Sequence, residues 1–352
     1  MNGPAPDRAF VVPAELPGPN GGSVYNERVL SVWRGQGLDV AEEAVGGTWP
    51  LPGAGSQKAL ARRLRRYRSV LIDGIIASAA PDAIAEAQAG GVEVAVLVHL
   101  PLPAETGLSL QRRCCAEAQE RRSLQMADHV ICTSHWAGRD VTARYGPLPY
   151  EVAPPGCDAA PLAQGSSPPG IFFLGSISPR KNPLLLIRAL EPLQDLEWTL
   201  RLTGPQGPDR EYADAVSTAA RRLHGRVEMT GPLSGEDLDL AWDAADLLSL
   251  PSLAETYGMV VTEAAARGIP AMVGEGTGAE EALAAAGHQP GAAPLPGCAA
   301  DPTDAGAWTE ALSRWLRQED LRSLWRTHAV LGRDRLPPWS ETAKSLQAAL
   351  RW

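Results

Sequence analysis

Residues 246–273 read DLLSLPSLAETYGMVVTEAAARGIPAMV, and the order of apolar runs and breaks within them decides the fold. Residues 246–250 (DLLSL) are a short apolar stretch bounded by Pro251 and Ser252, the pattern of a strand buried in a parallel sheet. From Gly258 to Ala266 the spacing predicts a helix, which Gly268 ends and Pro270 follows. An apolar run resumes at Ala271. Strand, loop, helix and strand make one unit of an α/β sheet. Glu255 therefore falls in the loop, and Glu263 in the first turn or two of the helix.

That placement has chemical consequences. Amides at a helix start are free and the dipole end is positive, so Gly258, Met259 and Val260 offer N–H groups suited to a diphosphate. Glycine at 258 lets the backbone come close to it. Glu263 can accept hydrogen bonds from ribose hydroxyls, while Glu255 would face a hexose. Acidic residues are also favoured near helix starts by the dipole alone, so both readings of this carboxylate pair stand at this point.

A second segment bears on the choice. Residues 171–175 (IFFLG) are another apolar run ending in glycine, and residues 176–182 (SISPRKN) form the loop before an amphipathic helix over 183–190. Arg180 and Lys181 thus stand at the carboxyl end of a strand, where ligands bind in open α/β sheets. Of the 32 basic residues only Lys58, Lys181 and Lys344 are lysines. A compact ammonium suits a β-phosphate whose negative charge grows as a sugar departs. A solvated Arg-Lys face is the alternative for this pair.

Together these residues resemble glycosyltransferase family 4, the retaining enzymes of the GT-B fold. The family's signature is two carboxylates separated by seven residues with a glycine-rich centre, and Glu255 to Glu263 matches it. LPS at 250–252 and EAAARGIPAMV at 263–273 extend the likeness. So do GPNGGSVYNERVL near the start, VHLPL at 98–102, ICTSHW at 131–136, VEMTGPL at 227–233 and the closing PWSETAKSL, so that it covers nearly the whole chain. One position departs. Most members place an arginine directly after the glycine of the second loop, and Ser176 stands there in this chain; Arg180 is the candidate to supply the guanidinium from elsewhere.

The resemblance implies retaining transfer of a hexosyl group from a nucleoside diphosphate sugar, without metal. It assigns charge stabilisation on the β-phosphate to Lys181, Arg180 and the amides of Gly258 to Val260, and the ribose to Glu263. Glu255 and His99 would position the sugar. His99 ends the apolar run VAVLV; without the family, a lone histidine there reads as structural. Gly21 and Gly22 precede Ser23, read as the N-cap of a helix beginning at Val24, and by resemblance this glycine loop approaches donor phosphates and acceptor. It is not a dinucleotide fingerprint, because the G-x-G-x-x-G spacing is absent. Glu105 and Thr106 follow in a loop placed to touch the acceptor. The base would be held by backbone near the loops after Gly204 and Met229. UDP is the favoured donor nucleotide and GDP the next, with glucose, mannose or an N-acetylhexosamine as the sugar and no cofactor beyond that co-substrate.

Chain order agrees with this fold. Apolar strands near Phe10, Val70, Val94 and Val130 alternate with helical stretches such as 24–36 and 59–68; strands near Phe172, Leu200, Val227, Leu248 and Ala271 do the same in the second half. The expected architecture is α/β, GT-B, with two Rossmann-like doubly wound domains facing across a cleft. Residues 1–165 form the acceptor domain and 166–335 the donor domain. The change-over falls in QGSSPPG at 164–170, and a C-terminal helix in 336–352 crosses back to the first domain.

Composition narrows the function classes. With 352 residues, 44% apolar and 21% charged, the chain is long enough for two cored domains and is not of disordered composition. No apolar run approaches the ~20 residues needed to span a bilayer, and the start MNGPAPDRAF has no signal-peptide core, so a cytoplasmic location is expected. A net charge of −9 argues against a nucleic-acid partner. Five cysteines without metal spacing, an odd number, read as reduced structural thiols. Two further signals are discounted. Asp237 and Asp239 have D-x-D spacing but follow Ser234 and Gly235 at a helix start, so no metal site is expected. The arginines at 62, 63, 65, 66 and 68 form a basic helix, a solvated face that offers at most weak peripheral contact with anionic lipid. A pyridoxal-dependent phosphorylase, a nucleotide-sugar epimerase of the same fold and a non-catalytic sugar-nucleotide scaffold are the rival classes. The acceptor is unidentified, and the acidic charge leans towards a soluble one.

Overall fold

Each half of the chain is built around one six-stranded sheet in which every observed pairing is parallel. The computed structural model describes residues 7–15, 20–104, 109–287 and 295–352, so Glu105 and Thr106 lie outside the described residues. Contacts divide the chain into one unit of Met1–Gly156 with Pro337–Trp352 and a second of Cys157–Leu336.

The first sheet contains β1 (Arg8–Pro13), β2 (Ala41–Val45), β3 (Ser69–Asp73), β4 (Glu93–Val98), β5 (His129–Cys132) and β6 (Glu151–Val152), in the order β2-β1-β3-β4-β5-β6. Every residue of β3 is buried, as is β4 after Glu93, which is why these strands read as unbroken apolar runs. The second sheet contains β7 (Gly170–Leu174), β8 (Thr199–Thr203), β9 (Val227–Gly231), β10 (Leu247–Leu250), β11 (Ala271–Gly274) and β12 (Gly297–Ala300), in the order β12-β11-β10-β7-β8-β9. Strand order therefore reverses between β7 and β10, and in the first sheet between β1 and β3. The loops leaving such a pair of strands diverge and open a crevice at the carboxyl ends.

Every strand expected from apolar runs is present. The unexpected ones, β2, β6 and β12, are all edge strands. An edge strand is covered on fewer sides and needs no continuous apolar run; β2 reads AEEAV, with Glu42 exposed and Glu43 buried.

Four expectations are corrected. The change-over lies at Gly156–Cys157, ahead of the Pro/Gly/Ser stretch. That stretch is tied to the second unit: Ala163 N donates to Arg267 O at 2.9 Å, Gly165 N to Asp243 O at 2.8 Å, and Asp246 Oδ2 accepts from the amides of Ser166 (3.0 Å) and Gly170 (2.8 Å). The arginine-rich helix is Ala54–Leu64, so residues 65–68 lie beyond it. The arginines of this stretch stay about half exposed, with part of their charge met by neighbouring carboxylates. Arg63 (2.6 Å) and Arg66 pair with buried Glu43, Tyr67 donates to the same carboxylate at 2.6 Å, and Arg65 reaches Glu86 at 3.2 Å. The first helix begins at Gly21, not Val24, and its N-cap is Asn20: Asn20 Oδ1 accepts from Ser23 N at 3.0 Å while Ser23 Oγ accepts from Asn20 N at 3.2 Å. Gly21 and Gly22 are thus its first turn rather than the loop before it. Finally, Cys114 and Cys115 are exposed; Cys132 is buried, its thiol pushed up to about 12 by burial, and all five cysteines are free. No described helix is long and apolar enough to cross a membrane.

The last helix, Trp339–Leu350, packs within the first unit. Trp33 Nε1 donates to Ala343 O at 3.4 Å, Thr342 Oγ1 to Pro154 O at 2.7 Å, and the Tyr25 and Trp339 rings meet edge to face at 5.6 Å. Gly156 lies so close to the Trp339 backbone that a Cβ there would overlap it. Trp339→Ala is expected to destabilise the first unit by roughly 3–5 kcal/mol, the usual cost of emptying a buried aromatic site. Urea denaturation reads this as a lowered midpoint; a loss below about 1 kcal/mol would show that the helix is not part of the unit's cooperative core.

Candidate functional site

In the second unit the two loops at the reversal of strand order are locked to each other. Leu253 N, after β10, donates to Arg180 O at 2.8 Å, and Arg180 Nη1 donates back to Ala254 O at 3.1 Å. Lys181 Nζ forms an ion pair with Glu255, whose Oε2 also accepts from Ser252 Oγ at 3.4 Å. Both partners are largely buried, with 14% and 10% of their side-chain surface exposed. Burial works against ionisation of Glu255, yet the charges of Lys181 and Arg180 and the bonds from Lys181 and Ser252 outweigh it and hold its carboxyl below the ordinary range. Sequence reading placed Arg180, Lys181 and Glu255 at one edge, and the structure brings them together.

Neighbouring loops brace this cluster through glycines. Gly278 N donates to Glu255 O at 2.7 Å, and a Cβ on Gly278 would overlap Thr256 O. Ile177 N donates to Pro205 O at 2.9 Å, which pins the loop after β7 to the loop after β8. Ser176 sits in that braced loop, its hydroxyl 3.1 Å from that of Ser178.

The helix after the carboxylate loop is Met259–Ala266, preceded by Gly258 in the left-handed region (φ 84°), a conformation that favours glycine. Gly258, Met259 and Val260 therefore lie at a helix start, as the spacing predicts. Glu263 is half-buried one turn further on, and burial together with the Glu263 charge pushes the Cys157 thiol up to about 11. Met229 is misplaced by the sequence reading. It lies within β9, paired with Leu202 and packed on the core, and the loop at the carboxyl edge begins only after Gly231. Asp237 is in the first turn of Gly235–Asp243, and Asp239 lies 3.8 Å from Arg267. No group of three or more His, Cys, Asp or Glu able to hold a metal is present among the described residues.

In the first unit His99 follows β4 at the carboxyl edge. Its Nε2 is 2.9 Å from Asn26 Oδ1 and 3.5 Å from Asp73 Oδ2. Tyr25 meets the ring edge to face at 5.1 Å, and a Cβ on Gly22 would lie 3.1 Å from His99 Cδ2, so glycine there lets the helix start close to the imidazole. Asn26 and Asp73 were missed by sequence reading. Asp73 ends the run SVLID at a strand terminus, which is a local signal; its partner Asn26 is 47 positions away, and nothing local pairs them.

The Lys181–Glu255 pair has a measurable signature. Glu255 has a depressed folded-state pKa, so its contribution is present above the unfolded carboxylate value and lost as pH falls through the folded one. Lys181→Ala should destabilise the second unit at pH 7 by roughly 3 kcal/mol, the usual penalty for leaving one member of a buried pair. The penalty should shrink towards pH 4, and Lys181→Met combined with Glu255→Gln should recover most of it; equal stability of the single variant and the wild type in urea would show that the pair is not buried in solution.

Comparison with known proteins agrees with this geometry. Residues 159–330 match the family model described as glycosyl transferases group 1. The D-inositol 3-phosphate glycosyltransferase of Nocardia farcinica is 31% identical over 188 residues, covering 47% of this chain and 42% of that protein, so the chain spans less than half the length of this relative. Among solved structures, HepE of Anabaena in complex with UDP and glucose superposes with a TM-score of 0.74 at 15% identity, covering 98% of this chain and 99% of that one. Sucrose-phosphate synthase from Thermosynechococcus elongatus superposes with a TM-score of 0.76 at 18% identity, covering 98% of both. At such identities the structural likeness is one of fold. The chain has the GT-B fold seen in these glycosyltransferase structures, and most of its second unit matches the group 1 glycosyl transferase model.

Proposed function

We propose that this protein is a retaining glycosyltransferase of family 4 that moves a hexosyl group from a nucleoside diphosphate sugar to an acceptor hydroxyl. The observation that carries the reading is the cluster of Lys181, Arg180 and Glu255 at the strand-order reversal, next to the start of the helix Met259–Ala266. Two cationic side chains and a helix start with free amides suit a diphosphate, and the carboxylates at Glu255 and Glu263 suit hydroxyls of hexose and ribose. HepE, which has the same fold, was solved with UDP, and this supports UDP as the donor nucleotide, with GDP next.

In this mechanism the bond from the anomeric carbon to the β-phosphate oxygen breaks as Lys181, Arg180 and the amides of Gly258 to Val260 stabilise the growing negative charge. Fixed positive groups do this work, and no metal is invoked. The acceptor oxygen attacks from the leaving-group side, a new glycosidic bond forms with retention, and the acceptor proton passes to the phosphate oxygen. No protein base is required. His99 contributes a hydrogen bond to a substrate hydroxyl, and Gly21 and Gly22 keep the first turn of their helix free of side chains. A net charge of −9 supports a soluble acceptor over an anionic surface, and the reaction is assigned to the cytoplasm.

Calorimetry with UDP, GDP and ADP and their glucose and mannose conjugates, in the presence of a chelator, tests the reading. One nucleotide should bind, and Lys181→Met and Glu263→Gln should each weaken it by roughly 1–3 kcal/mol, the scale of a charged hydrogen bond. Binding that requires a divalent cation would overturn the metal-free mechanism. Conversion of a donor without any acceptor would point to an epimerase, and tight binding without turnover across an acceptor panel to a scaffold.

A further inference from the structure

The His99 ring is the terminus of a hydrogen-bond chain whose polarity can be deduced atom by atom. Asp73 is 2% exposed and ends β3. Its Oδ1 accepts from Ile75 N at 2.9 Å, and its Oδ2 accepts from Asn26 Nδ2 at 2.5 Å. An ionised carboxylate can only accept, so the end of the Asn26 amide that faces it is the NH2 group. The other end, Oδ1, then faces His99 Nε2 at 2.9 Å, and because a carbonyl oxygen can only accept, Nε2 carries a proton. Turning the amide over would set Asn26 Oδ1 against Asp73 Oδ2, two buried acceptors with no proton between them. Asp73 Oδ2, 3.5 Å from the same Nε2, adds a second negative atom on that side.

The premise that Asp73 is ionised has support of its own. Burial opposes its charge, but the hydrogen bonds the carboxylate accepts from the His99 ring, the Asn26 amide and the Ile75 N–H favour the ionised form and keep the carboxyl below its ordinary value. The ring itself is held on its Cδ2 side by Gly22 and edge-on by Tyr25.

We propose that Asn26 and Asp73 are positioning residues that fix His99 as the Nε2-protonated imidazole, so that Nδ1, outside this chain of bonds, serves as the acceptor for a substrate hydroxyl. Neither residue touches substrate. Both act through His99, by choosing its tautomer and the direction of its ring. The catalytic half of this inference rests on the glycosyl-transfer reading; the tautomer half does not.

The test uses the full chain labelled with 15N-histidine, which has 6 histidines, with His99 assigned by the resonance lost in His99→Gln. Long-range proton–nitrogen correlation at neutral pH should show a protonated Nε2 and an unprotonated Nδ1 on His99. Asp73→Asn keeps the shape and can bond Asn26 with either end of its amide, so it should leave the other histidines in place and average the His99 nitrogens. Its kcat for sugar transfer should fall on the order of 10- to 100-fold, the scale known for the supporting partners of metal-bound histidines, with donor KM within about twofold. Asn26→Leu should do the same, and amide spectra of both variants report whether the unit stays folded. An averaged or Nδ1-protonated His99 in the wild type would overturn the proposal. So would full kcat in Asp73→Asn despite a mixed tautomer. Absence of transfer by the wild type would sink the glycosyl-transfer reading and the catalytic half with it, while the nitrogen shifts would still decide the tautomer half.

Discussion

A parallel sheet that grows outward in both directions from its first strand has one place where two neighbouring strands send their loops apart. In the second unit that place lies between β7 and β10, and the character of the crevice depends on what fills it. A buried ion pair fills it. Lys181 and Glu255 come from loops 74 positions apart, and each alone would be an uncompensated charge in a largely dry setting. Their pairing makes the crevice polar and keeps it ordered, and the backbone bonds between residues 180 and 253 set the spacing of the two charges. Glycines at 204 and 278 then admit the neighbouring backbones closely enough to brace both loops.

The first unit meets the same topological condition with different chemistry. Its strand order reverses between β1 and β3, and the residues gathered there are Asn26, Asp73 and His99. One reversal holds a cation and an anion neutralising each other, and the other holds a graded chain from carboxylate through amide to imidazole. The first arrangement presents charge that can be shared with a phosphate. The second presents a directed acceptor, which suits a neutral hydroxyl.

Legibility in the sequence followed burial and locality. Strands covered on both faces, such as SVLID, EVAVLV and GIFFL, announce themselves as apolar runs, and the turn from β10 into its helix is marked by Pro251, Gly258 and Gly268. Arg180, Lys181, Glu255 and Gly258 were legible because each lies within a few residues of such a strand end. Edge strands AEEAV, EV and GCAA carry no comparable run. The helix start at Asn20 escaped notice because its capping box uses serine at the third position, where glutamate or glutamine is the usual sign. The boundary at Gly156 was hidden for another reason. The Pro/Gly/Ser stretch has a linker's composition, but Asp243 and Asp246, some eighty positions later, supply the acceptors that fasten it down. Asn26 and Asp73 belong to the same class, since contact across that separation leaves no trace in local pattern.

The placement of the final helix in the first unit has a consequence for biosynthesis. Trp33 and Tyr25, which that helix covers, are made early, whereas residues Pro337–Trp352 follow the whole of Cys157–Leu336. At ordinary elongation rates the ribosome needs on the order of 10 to 40 s to add that stretch, far longer than a domain of this kind takes to collapse. The nascent first unit must therefore wait with an aromatic face open to water and to other chains. Its yield is tied to the speed of translating the second unit, and to any chaperone that shields two aromatic rings until their cover arrives.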